Sequence, residues 1–236
     1  MNDTASSVSY AIDLGAPPSV GVEGTASRFP VRRIFCVGRN YADHAREMGH
    51  DPDREPPFFF MKPATAIVHS GATLRYPPGT KELHHEIELV VAIGQAGRDV
   101  SVERALDIVW GYAVGLDMTR RDLQGEAKKL GRPWEMGKAF DESAPCASLR
   151  PASRIGHPTR GAIWLDVNGI RKQTGDIDQL IWSIPEQIAY LSALVALMPG
   201  DLIYTGTPAG VGAVQRGDTL VGHVDGVGEL TIHYAK

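Results

Sequence analysis

Residues 85–91 read His85-Glu86-Ile87-Glu88-Leu89-Val90-Val91, and they carry the strongest strand pattern in the chain. Side chains two positions apart on a strand project from the same face of the sheet. Glu86 and Glu88 therefore share one face, whereas the apolar side chains of Ile87 and Leu89 occupy the other. Two neighbouring carboxylates repel each other, so this face of the strand either meets bulk water or holds a divalent cation.

A second apolar strand is predicted over residues 111–116, and it ends abruptly in a single acid, Asp117. A core strand that ends in this way can deliver its last side chain to a site. Together with Glu86 and Glu88, Asp117 makes three carboxylates and no thiolate, a hard oxygen donor set that favours Mg²⁺ or Mn²⁺ over Zn²⁺. Glu86, Glu88 and Asp117 are therefore the candidate metal ligands.

Short strand patterns separated by turns fill most of the chain, which has 26 glycines and 16 prolines in 236 residues. Strands are predicted at residues 34–37, 58–61, 66–69, 86–94, 111–116, 162–167, 202–204, 219–224 and 228–234. Helices are predicted at residues 41–48, 100–109, 119–130 and 184–197. This mixture indicates a β-rich α+β fold. Residues 1–30 are predicted to form an N-terminal arm or small cap, and residues 31–236 the main domain.

The charge and cysteine content argue against several classes of protein. A net charge of -4 at pH 7, from 24 basic and 28 acidic residues, speaks against a nucleic-acid partner, since such binding depends on neutralising phosphates. Cys36 and Cys146 stand in no zinc or disulfide spacing, which favours free thiols in a reducing compartment. The first residues lack the basic and apolar segments of a secretory signal, and no apolar run is long enough to span a bilayer. We therefore expect a soluble cytoplasmic protein without a membrane partner.

Three further motifs carry side chains suited to catalysis. His44 and Glu47 lie three residues apart on a predicted helix, so they either form a base with its orienting carboxylate or belong to a solvated helix face. Lys138 stands between small and apolar residues, where a lysine either donates to a developing oxyanion or reaches out to solvent. The loop over residues 204–212 offers hydroxyls and glycine amides that suit a carboxylate; alternatively, it is a plain tight loop.

Taken together and in this order, the motifs resemble those of the fumarylacetoacetate hydrolase family, in particular its short acylpyruvase-type members. The segments that carry the resemblance are Val37-Gly38-Arg39-Asn40-Tyr41-Ala42-Asp43-His44, Phe60-Met61-Lys62-Pro63, His85-Glu86-Ile87-Glu88-Leu89, Gly115-Leu116-Asp117-Met118-Thr119-Arg120-Arg121-Asp122, Gly137-Lys138-Ala139-Phe140-Asp141 and Thr205-Gly206-Thr207-Pro208-Ala209-Gly210-Val211-Gly212. The resemblance implies that the main domain is a catalytic domain, a mixed β-sandwich roll with peripheral helices. It also implies a homodimer with one Mg²⁺ or Mn²⁺ per subunit.

The resemblance further implies roles for individual residues. The residues that match the metal ligands of the family are Glu86, Glu88 and Asp117. Those that match its catalytic residues are His44 and Glu47, the pair that activates water, and Lys138, the lysine on the oxyanion side. Those that match its substrate-binding residues are Arg121, Gln124 and Thr207, with Thr205 as a second candidate in the same loop.

The activity that the resemblance implies is metal-dependent hydrolysis of a carbon–carbon bond in a 2,4-diketo acid. Fumarylpyruvate, which is cleaved to fumarate and pyruvate in the gentisate type of aromatic degradation, is the expected substrate. Hydrolysis of simpler acylpyruvates, decarboxylation of oxaloacetate and isomerisation of a related diketo acid are alternatives that use similar metal and enolate chemistry. A metal-dependent keto-acid binding protein is the alternative without catalysis. Arg32, Arg39 and Arg121 are all candidates to pair with a distal carboxylate of the substrate.

Overall fold

The computed structural model describes residues 11–43 and 55–236, and strands dominate these ranges. The strands are β1 (Ser19–Gly21), β2 (Arg28–Pro30), β3 (Arg33–Gly38), β4 (Phe58–Lys62), β5 (Ile67–His69), β6 (Thr73–Leu74), β7 (Leu83–His85), β8 (Ile87–Ile93), β9 (Val109–Leu116), β10 (Thr119–Arg120), β11 (Ala144–Cys146), β12 (Arg150–Pro151), β13 (Ala162–Val167), β14 (Ile170–Asp176), β15 (Asp201–Tyr204), β16 (Gly212–Val214), β17 (Thr219–Val224) and β18 (Gly228–Tyr234). The α-helices are α1 (Arg121–Lys129), α2 (Glu135–Lys138), α3 (Ala152–Ile155) and α4 (Ile184–Leu194). Short 3₁₀ helices cover Ala64–Ala66, Val102–Ile108 and Ile177–Gln179. The predicted β-rich α+β class is confirmed.

Two sheets make up most of the described structure. The larger sheet has eight strands, seven of them in the order β4-β3-β15-β8-β9-β11-β5, and β12 pairs with β9 beside this path. The second sheet has five strands in the order β14-β13-β17-β18-β6. The three-stranded sheet β10-β7-β16 and the hairpin β1-β2 are smaller. Because β8 is central in the larger sheet, both of its edges are paired and both of its faces can be covered.

Strand β8 separates two apolar cores. Its residues Ile87, Leu89 and Val91 belong to the inter-sheet core, which they share with side chains of β13, β17 and β18. Val90 and Ala92 project from the opposite face into an outer core, which they share with side chains of β3, β9 and β15. The alternation predicted from the sequence is confirmed, but every residue of the strand is buried. The face that carries Glu88 therefore does not meet bulk water, and apolar burial on both sides stabilises the strand.

The hairpin β1-β2 packs against the outer core. Val20 and Phe29 are buried there, and the ring of Phe29 lies 5.1 Å from the ring of Trp110. Residues 11–18 form no helix or strand, as their prolines and glycine predict. The division into an arm over residues 1–30 and a main domain stays a prediction.

Two helices are shorter than predicted, and in each case a tertiary contact uses the missing residues. Residues 119–120 pair with β7 as strand β10, so α1 begins at Arg121. Helix α4 ends at Leu194, and beyond it Leu197 exchanges two backbone hydrogen bonds with Gly97.

No helix of the described ranges is long and apolar enough to cross a membrane.

Strand β14 was not predicted, and its position explains why. It lies at the edge of the five-stranded sheet. Gln173 is the one residue of the strand that is buried. A polar edge strand carries no apolar alternation that sequence reasoning could detect. The predicted helix over residues 100–109 forms 3₁₀ turns over Val102–Ile108 instead. Of the predicted helix over residues 41–48, residues 42 and 43 are helical and residues 44–48 lie outside the described residues.

Candidate active site

Three carboxylates converge where β8 pairs with β9. The antiparallel register places Glu88 opposite Gly115, and the amide of Asp117 donates to the carbonyl of Glu86 at 2.9 Å. Residues opposite each other in an antiparallel pair project from the same face. Ligand atoms of Glu86, Glu88 and Asp117 accordingly lie within 4.8 Å of one another, and all three residues are buried. The alternative in which these acids face bulk water is therefore wrong.

Burial makes this cluster of acids costly in the absence of a cation. Burial of Glu88, followed by the charges of Asp117 and Glu86, raises the pKa of Glu88 well above its usual range. One hydrogen bond acts in the other direction, because the backbone N–H of Gly206 donates to Oε2 of Glu88 at 2.8 Å. A positive charge placed among the three acids relieves their repulsion and favours their ionised forms.

Lys138 lies among these carboxylates and does not reach solvent. Its Nζ donates to Oε2 of Glu86 and to Oδ2 of Asp117, both at 2.7 Å, and to Oγ1 of Thr119 at 2.6 Å. Burial opposes the charge of Lys138, but Asp117 and Glu86 outweigh burial and raise its pKa. The alternative of a solvent-reaching lysine is therefore wrong, and Lys138 is a charged, buried member of the site.

A second buried lysine, Lys62, belongs to the same cluster, although no role followed for it from the sequence. Its Nζ lies 2.8 Å from Oδ1 of Asp117 and donates to the backbone carbonyls of Met118, at 3.0 Å, and Lys138. The signal in the sequence is its place in β4, where Lys62 shares a face with Phe60. A lysine on a buried face needs a carboxylate or several carbonyls as partners.

The donor atoms of this cluster fit a divalent cation. Oδ1 of Asp117 is buried, accepts no hydrogen bond within the described part of the chain and lies 2.8 Å from Nζ of Lys62. A buried carboxylate oxygen with an unused lone pair, beside two further carboxylates, is the hard donor set that Mg²⁺ and Mn²⁺ prefer. Glu86, Glu88 and Asp117 are the residues that would hold the ion.

Arg121 and Gln124 of helix α1 line the pocket over these acids. Arg121 donates to Oε1 of Glu86 and, at 2.6 Å, to Oε1 of Gln124. Its third contact is with His84, whose Nδ1 accepts from Nε of Arg121 at 3.3 Å. Burial, followed by the charge of Arg121, lowers the pKa of His84 to about 4, so its imidazole is neutral and able to accept. His84 thus orients Arg121, a role that the sequence did not suggest.

Thr207 lines the same pocket, and a side chain from β14 holds it there. Nε2 of Gln173 donates to Oγ1 of Thr207 at 2.8 Å, and Oε1 of Gln173 accepts the backbone N–H of Ile87 at 3.0 Å. Gln173 therefore ties the loop to β8. The hydroxyl of Thr205 is used differently, because it donates to the carbonyl of Leu89 at 2.9 Å.

The predicted site residues that the structure describes thus lie in one pocket. They are Glu86, Glu88, Asp117, Arg121, Gln124, Lys138 and Thr207. The predicted water-activating pair, His44 and Glu47, lies outside the described residues, and its role stays a prediction.

Comparison with known protein families identifies this arrangement. The model of the family described as fumarylacetoacetate (FAA) hydrolase C-terminal matches residues 33–233. The chain belongs to the fumarylacetoacetate hydrolase family. The resemblance stated from the sequence motifs is thereby confirmed, and the match covers all the described site residues and both large sheets except Tyr234 at the end of β18.

Two relatives within the fumarylacetoacetate hydrolase family carry different names. The fumarylpyruvate hydrolase of Ralstonia sp is 49% identical over 187 residues, which are 78% of this chain and 97% of that relative. The mitochondrial oxaloacetate tautomerase FAHD1 of Homo sapiens is 43% identical over 205 residues, which are 87% of this chain and 92% of that relative.

A solved structure within the fumarylacetoacetate hydrolase family is closely similar as well. The fumarylpyruvate hydrolase of Pseudomonas aeruginosa, in complex with Mn²⁺ and pyruvate, is 57% identical and superposes with a TM-score of 0.93. The match covers 96% of this chain and 99% of that one. The present chain is therefore an enzyme of the hydrolase type that acts on carbon–carbon bonds of ketonic substances, and its acid cluster suits Mg²⁺ or Mn²⁺.

Proposed function

We propose that this member of the fumarylacetoacetate hydrolase family cleaves fumarylpyruvate, a 2,4-diketo acid, to fumarate and pyruvate. The observation that carries the proposal is the buried cluster of Glu86, Glu88 and Asp117, with Lys138 bonded to two of its members. Similarity to the fumarylpyruvate hydrolases of Ralstonia sp and P. aeruginosa supports the choice of substrate.

The pyruvate end of the substrate is assigned to the acid cluster and its neighbours. Thr207, Gln124 and Arg121 line the pocket and offer a hydroxyl, an amide and a guanidinium as donors to the substrate carboxylate. Glu86, Glu88 and Asp117 would hold Mg²⁺ or Mn²⁺, which would supply Lewis-acid polarisation to a keto group of the substrate.

Water activation is assigned to His44, with Glu47 as the carboxylate that orients it. A histidine has a pKa near neutrality and can take a proton from water. The water oxygen then bonds to the distal keto carbon, C4, and the bond between C3 and C4 breaks. Its electron pair passes to C3, which takes up a proton to give pyruvate, and the new oxygen remains in the carboxylate of fumarate.

Lys138 is assigned to the oxyanion that forms when water attacks C4. All three protons of an ammonium can be donated, and those of Lys138 are directed at Glu86, Asp117 and Thr119. When the two carboxylates bind a cation instead, a donor of Nζ becomes available to the oxyanion. A buried, preorganised positive charge stabilises such an anion more strongly than a solvated one does.

An absorbance assay with protein stripped of metal tests the proposal. We expect fumarylpyruvate to be lost rapidly after addition of Mg²⁺ and only slowly before it, with fumarate and pyruvate released in equal amounts. Unchanged turnover in the presence of excess chelator would contradict the role of the metal. Failure to cleave fumarylpyruvate under any metal condition would contradict the substrate.

Isomerisation of oxaloacetate is the second candidate function, and similarity to the human oxaloacetate tautomerase favours it. Tautomerisation moves one proton between carbon and oxygen and needs no attack by water. A panel of fumarylpyruvate, acetylpyruvate and oxaloacetate separates the candidates, with enol loss and pyruvate release from oxaloacetate followed separately. Faster enol loss from oxaloacetate than cleavage of either diketo acid would favour the second candidate.

A homodimer, a cytoplasmic location and the lack of nucleic-acid and membrane partners remain sequence-based parts of the proposal. Light scattering coupled to size-exclusion chromatography tests the first of them. We expect a mass twice the 25.5 kDa of one chain. The mass of a single chain would contradict the dimer.

A further inference from the structure

Two further cations, Arg39 and Lys128, line the active-site pocket. Arg39 and Lys128 line this pocket together with the aromatic side chains of Phe58 and Trp134. The rings of Phe58 and Trp134 contact each other edge to face, with centroids 5.5 Å apart. Arg39 lies over the Phe58 ring at 5.3 Å, and Lys128 over the Trp134 ring at 5.7 Å. The pocket therefore has an aromatic wall with a positive charge at each end.

The backbone of Arg39 is in a conformation that few non-glycine residues adopt. Its φ is 54°, in the left-handed region that costs an L-residue about 1–2 kcal/mol. The preceding residue, Gly38, is in close contact with the Phe58 ring, because a Cβ on Gly38 would lie 2.0 Å from that ring. The turn therefore packs against the aromatic wall at Gly38, and the guanidinium of Arg39 lies over the same ring. Residues in sparsely populated backbone regions cluster at active sites and ligand clamps, although Asp99, Glu142 and Asn168 also have a positive φ.

Lys128 reaches the pocket from helix α1. It lies four residues after Gln124, so the two side chains share one face of the helix. Burial, followed by the charges of Arg39 and Arg121, lowers the pKa of Lys128. Arg39 and Lys128 line the same pocket, so their positive charges repel each other, and an anion between them would relieve that repulsion.

In the described part of the chain, neither cation forms an ion pair with a buried carboxylate, although the charge of Glu86 acts on Lys128. Among the described residues, Arg39 pairs with Glu55 at 3.9 Å, and the side chain of Glu55 is 70% exposed, so this pair is weak. By contrast, Arg121 is bonded to Glu86 within the acid cluster. Arg32 forms an ion pair with Asp201 and is not among the side chains that line the pocket.

We propose that Arg39 and Lys128 form a subsite for the distal carboxylate of the substrate and make the enzyme selective for dicarboxylic keto acids. This inference rests on the proposed function, since it assumes that the pyruvate end binds at the acid cluster. The conjugated carbon chain between the two ends of fumarylpyruvate is flat and lies along the wall of Phe58 and Trp134. The sequence left Arg32, Arg39 and Arg121 as equal candidates, and the contacts of each select Arg39.

Steady-state kinetics on a matched pair of substrates tests the subsite. Fumarylpyruvate has the distal carboxylate, and acetylpyruvate ends in a methyl group instead. We expect Arg39→Gln and Lys128→Gln each to lower kcat/KM for fumarylpyruvate by about 10- to 100-fold, the loss of a hydrogen bond to a charged group. Activity on acetylpyruvate should stay within about twofold, because that substrate does not reach the two cations.

Two control variants remove charges of the same kind elsewhere. Lys129→Gln removes the exposed lysine next to Lys128, and Arg32→Gln removes the rejected arginine candidate. Neither should change the preference for fumarylpyruvate, whereas Arg39→Lys should recover part of it. An equal loss of kcat/KM on fumarylpyruvate and acetylpyruvate would overturn the proposal. It would also be overturned if neither Arg39→Gln nor Lys128→Gln lowered kcat/KM for fumarylpyruvate.

A binding experiment separates failure of the subsite from failure of the proposed reaction. Calorimetry with Mg²⁺-loaded protein compares 2-oxoheptanedioate with 2-oxoheptanoate, two inert keto acids that differ only in the distal carboxylate. We expect the wild type to bind the dicarboxylate at least about 10-fold more tightly, and Arg39→Gln and Lys128→Gln to lose this preference. If the subsite is correct and only the proposed reaction is wrong, the protein will not turn over fumarylpyruvate but will still bind the dicarboxylate more tightly than the monocarboxylate. Equal affinities in the wild type would overturn the subsite whatever the reaction is.

Discussion

Asp117 is shared by two buried lysines. Nζ of Lys62 lies 2.8 Å from one of its oxygens, and Nζ of Lys138 lies 2.7 Å from the other. Each buried ion costs several kcal/mol of desolvation, which only close pairing offsets. The ammonium groups of Lys62 and Lys138 therefore neutralise part of the negative charge of the acid cluster. A divalent cation bound to the same acids would also neutralise that charge.

Replacement of Lys62 by methionine tests this compensation. Lys62→Met should destabilise the metal-free protein by about 3–5 kcal/mol, because it leaves a buried carboxylate without one of its partners. Added Mg²⁺ should raise Tm by more in this variant than in the wild type, since the ion then replaces a missing positive charge. Thermal unfolding with and without Mg²⁺ measures both effects. Lys81→Met, at an exposed lysine, is the control, and a variant as stable as this control would contradict the prediction.

The charge of Glu88 is expected to be essential for metal binding. Glu88→Gln keeps the shape of the side chain and an acceptor for the N–H of Gly206, but it removes one anionic ligand. We expect Mg²⁺-dependent kcat/KM to fall at least about 100-fold, with an unchanged fold. Kinetics and Mg²⁺ calorimetry are the measurements, and Glu126→Gln, on the exposed side of α1, is the matched control. Full activity with wild-type Mg²⁺ affinity would remove Glu88 from the metal site.

The role of His44 as the base has a separate test. His44→Ala should lower kcat for fumarylpyruvate by about 100- to 10,000-fold, the usual effect of losing a general base. Mg²⁺ affinity should not change, because the imidazole is not among the proposed ligands. His69→Ala, at an exposed histidine, provides the control. A rate within about twofold of the wild type would exclude His44 as the base.

The pairing of β8 with β9 positions the acid cluster, and its geometry depends on a glycine. Gly115 lies opposite Glu88, and a Cβ at this position would lie 2.5 Å from Val90 and 2.6 Å from the ring of Tyr204. The absence of a side chain lets β8, β9 and β15 approach one another beneath Glu88. A larger residue here has to displace the strand that carries the acid.

Two glycine-to-alanine variants separate packing from backbone entropy. Gly115→Ala should lower the free energy of unfolding by about 1–3 kcal/mol, because it overpacks the outer core. Gly125→Ala, in helix α1 where a Cβ has open space, should raise it by about 0.5–1 kcal/mol, since alanine favours the helix. Urea unfolding of both variants is the measurement. A stabilising effect of Gly115→Ala would contradict the close approach of the strands.

The active site as a whole joins segments that are far apart in the chain. Lysines come from β4 and α2, carboxylates from β8 and the ends of β7 and β9, donors from α1, and Thr207 from the loop after β15. A cation bound to this cluster therefore stabilises the folded chain only, because the unfolded chain does not bring the ligands together.

Metal addition should accordingly raise the stability of the entire fold. At a Mg²⁺ concentration of 100 times Kd, the gain is about 2.7 kcal/mol, which corresponds to an increase in Tm of about 5–10 °C for a chain of this size. Differential scanning calorimetry at increasing Mg²⁺ concentrations measures it. Na⁺ at equal ionic strength controls for screening, and a Tm that does not depend on Mg²⁺ would contradict a metal site in the folded protein.

The local pattern of the chain was sufficient to predict those features that depend on neighbouring residues. The alternation in residues 85–91 correctly predicted that Glu86 and Glu88 share a face, because the period of a strand is two residues whatever surrounds it. Strands such as β13, β17 and β18 were predicted with their observed bounds for the same reason. Asp117 was selected because a single acid ends an apolar strand, and the family motifs then indicated the chemistry.

The features that the local pattern did not predict all depend on long-range packing. The meeting of Asp117 with Glu86 requires the register between β8 and β9, and the shortening of α1 requires its first residues to pair with β7. Burial of Lys138 and Lys62 is stable only because carboxylates from other strands surround them. Amino-acid order alone therefore dictates which residues have catalytic chemistry and which way they face. The partners and the charge environment of these residues depend on contacts between segments that are distant in the chain. A local sequence pattern cannot predict these contacts, because their energies depend on residues outside it.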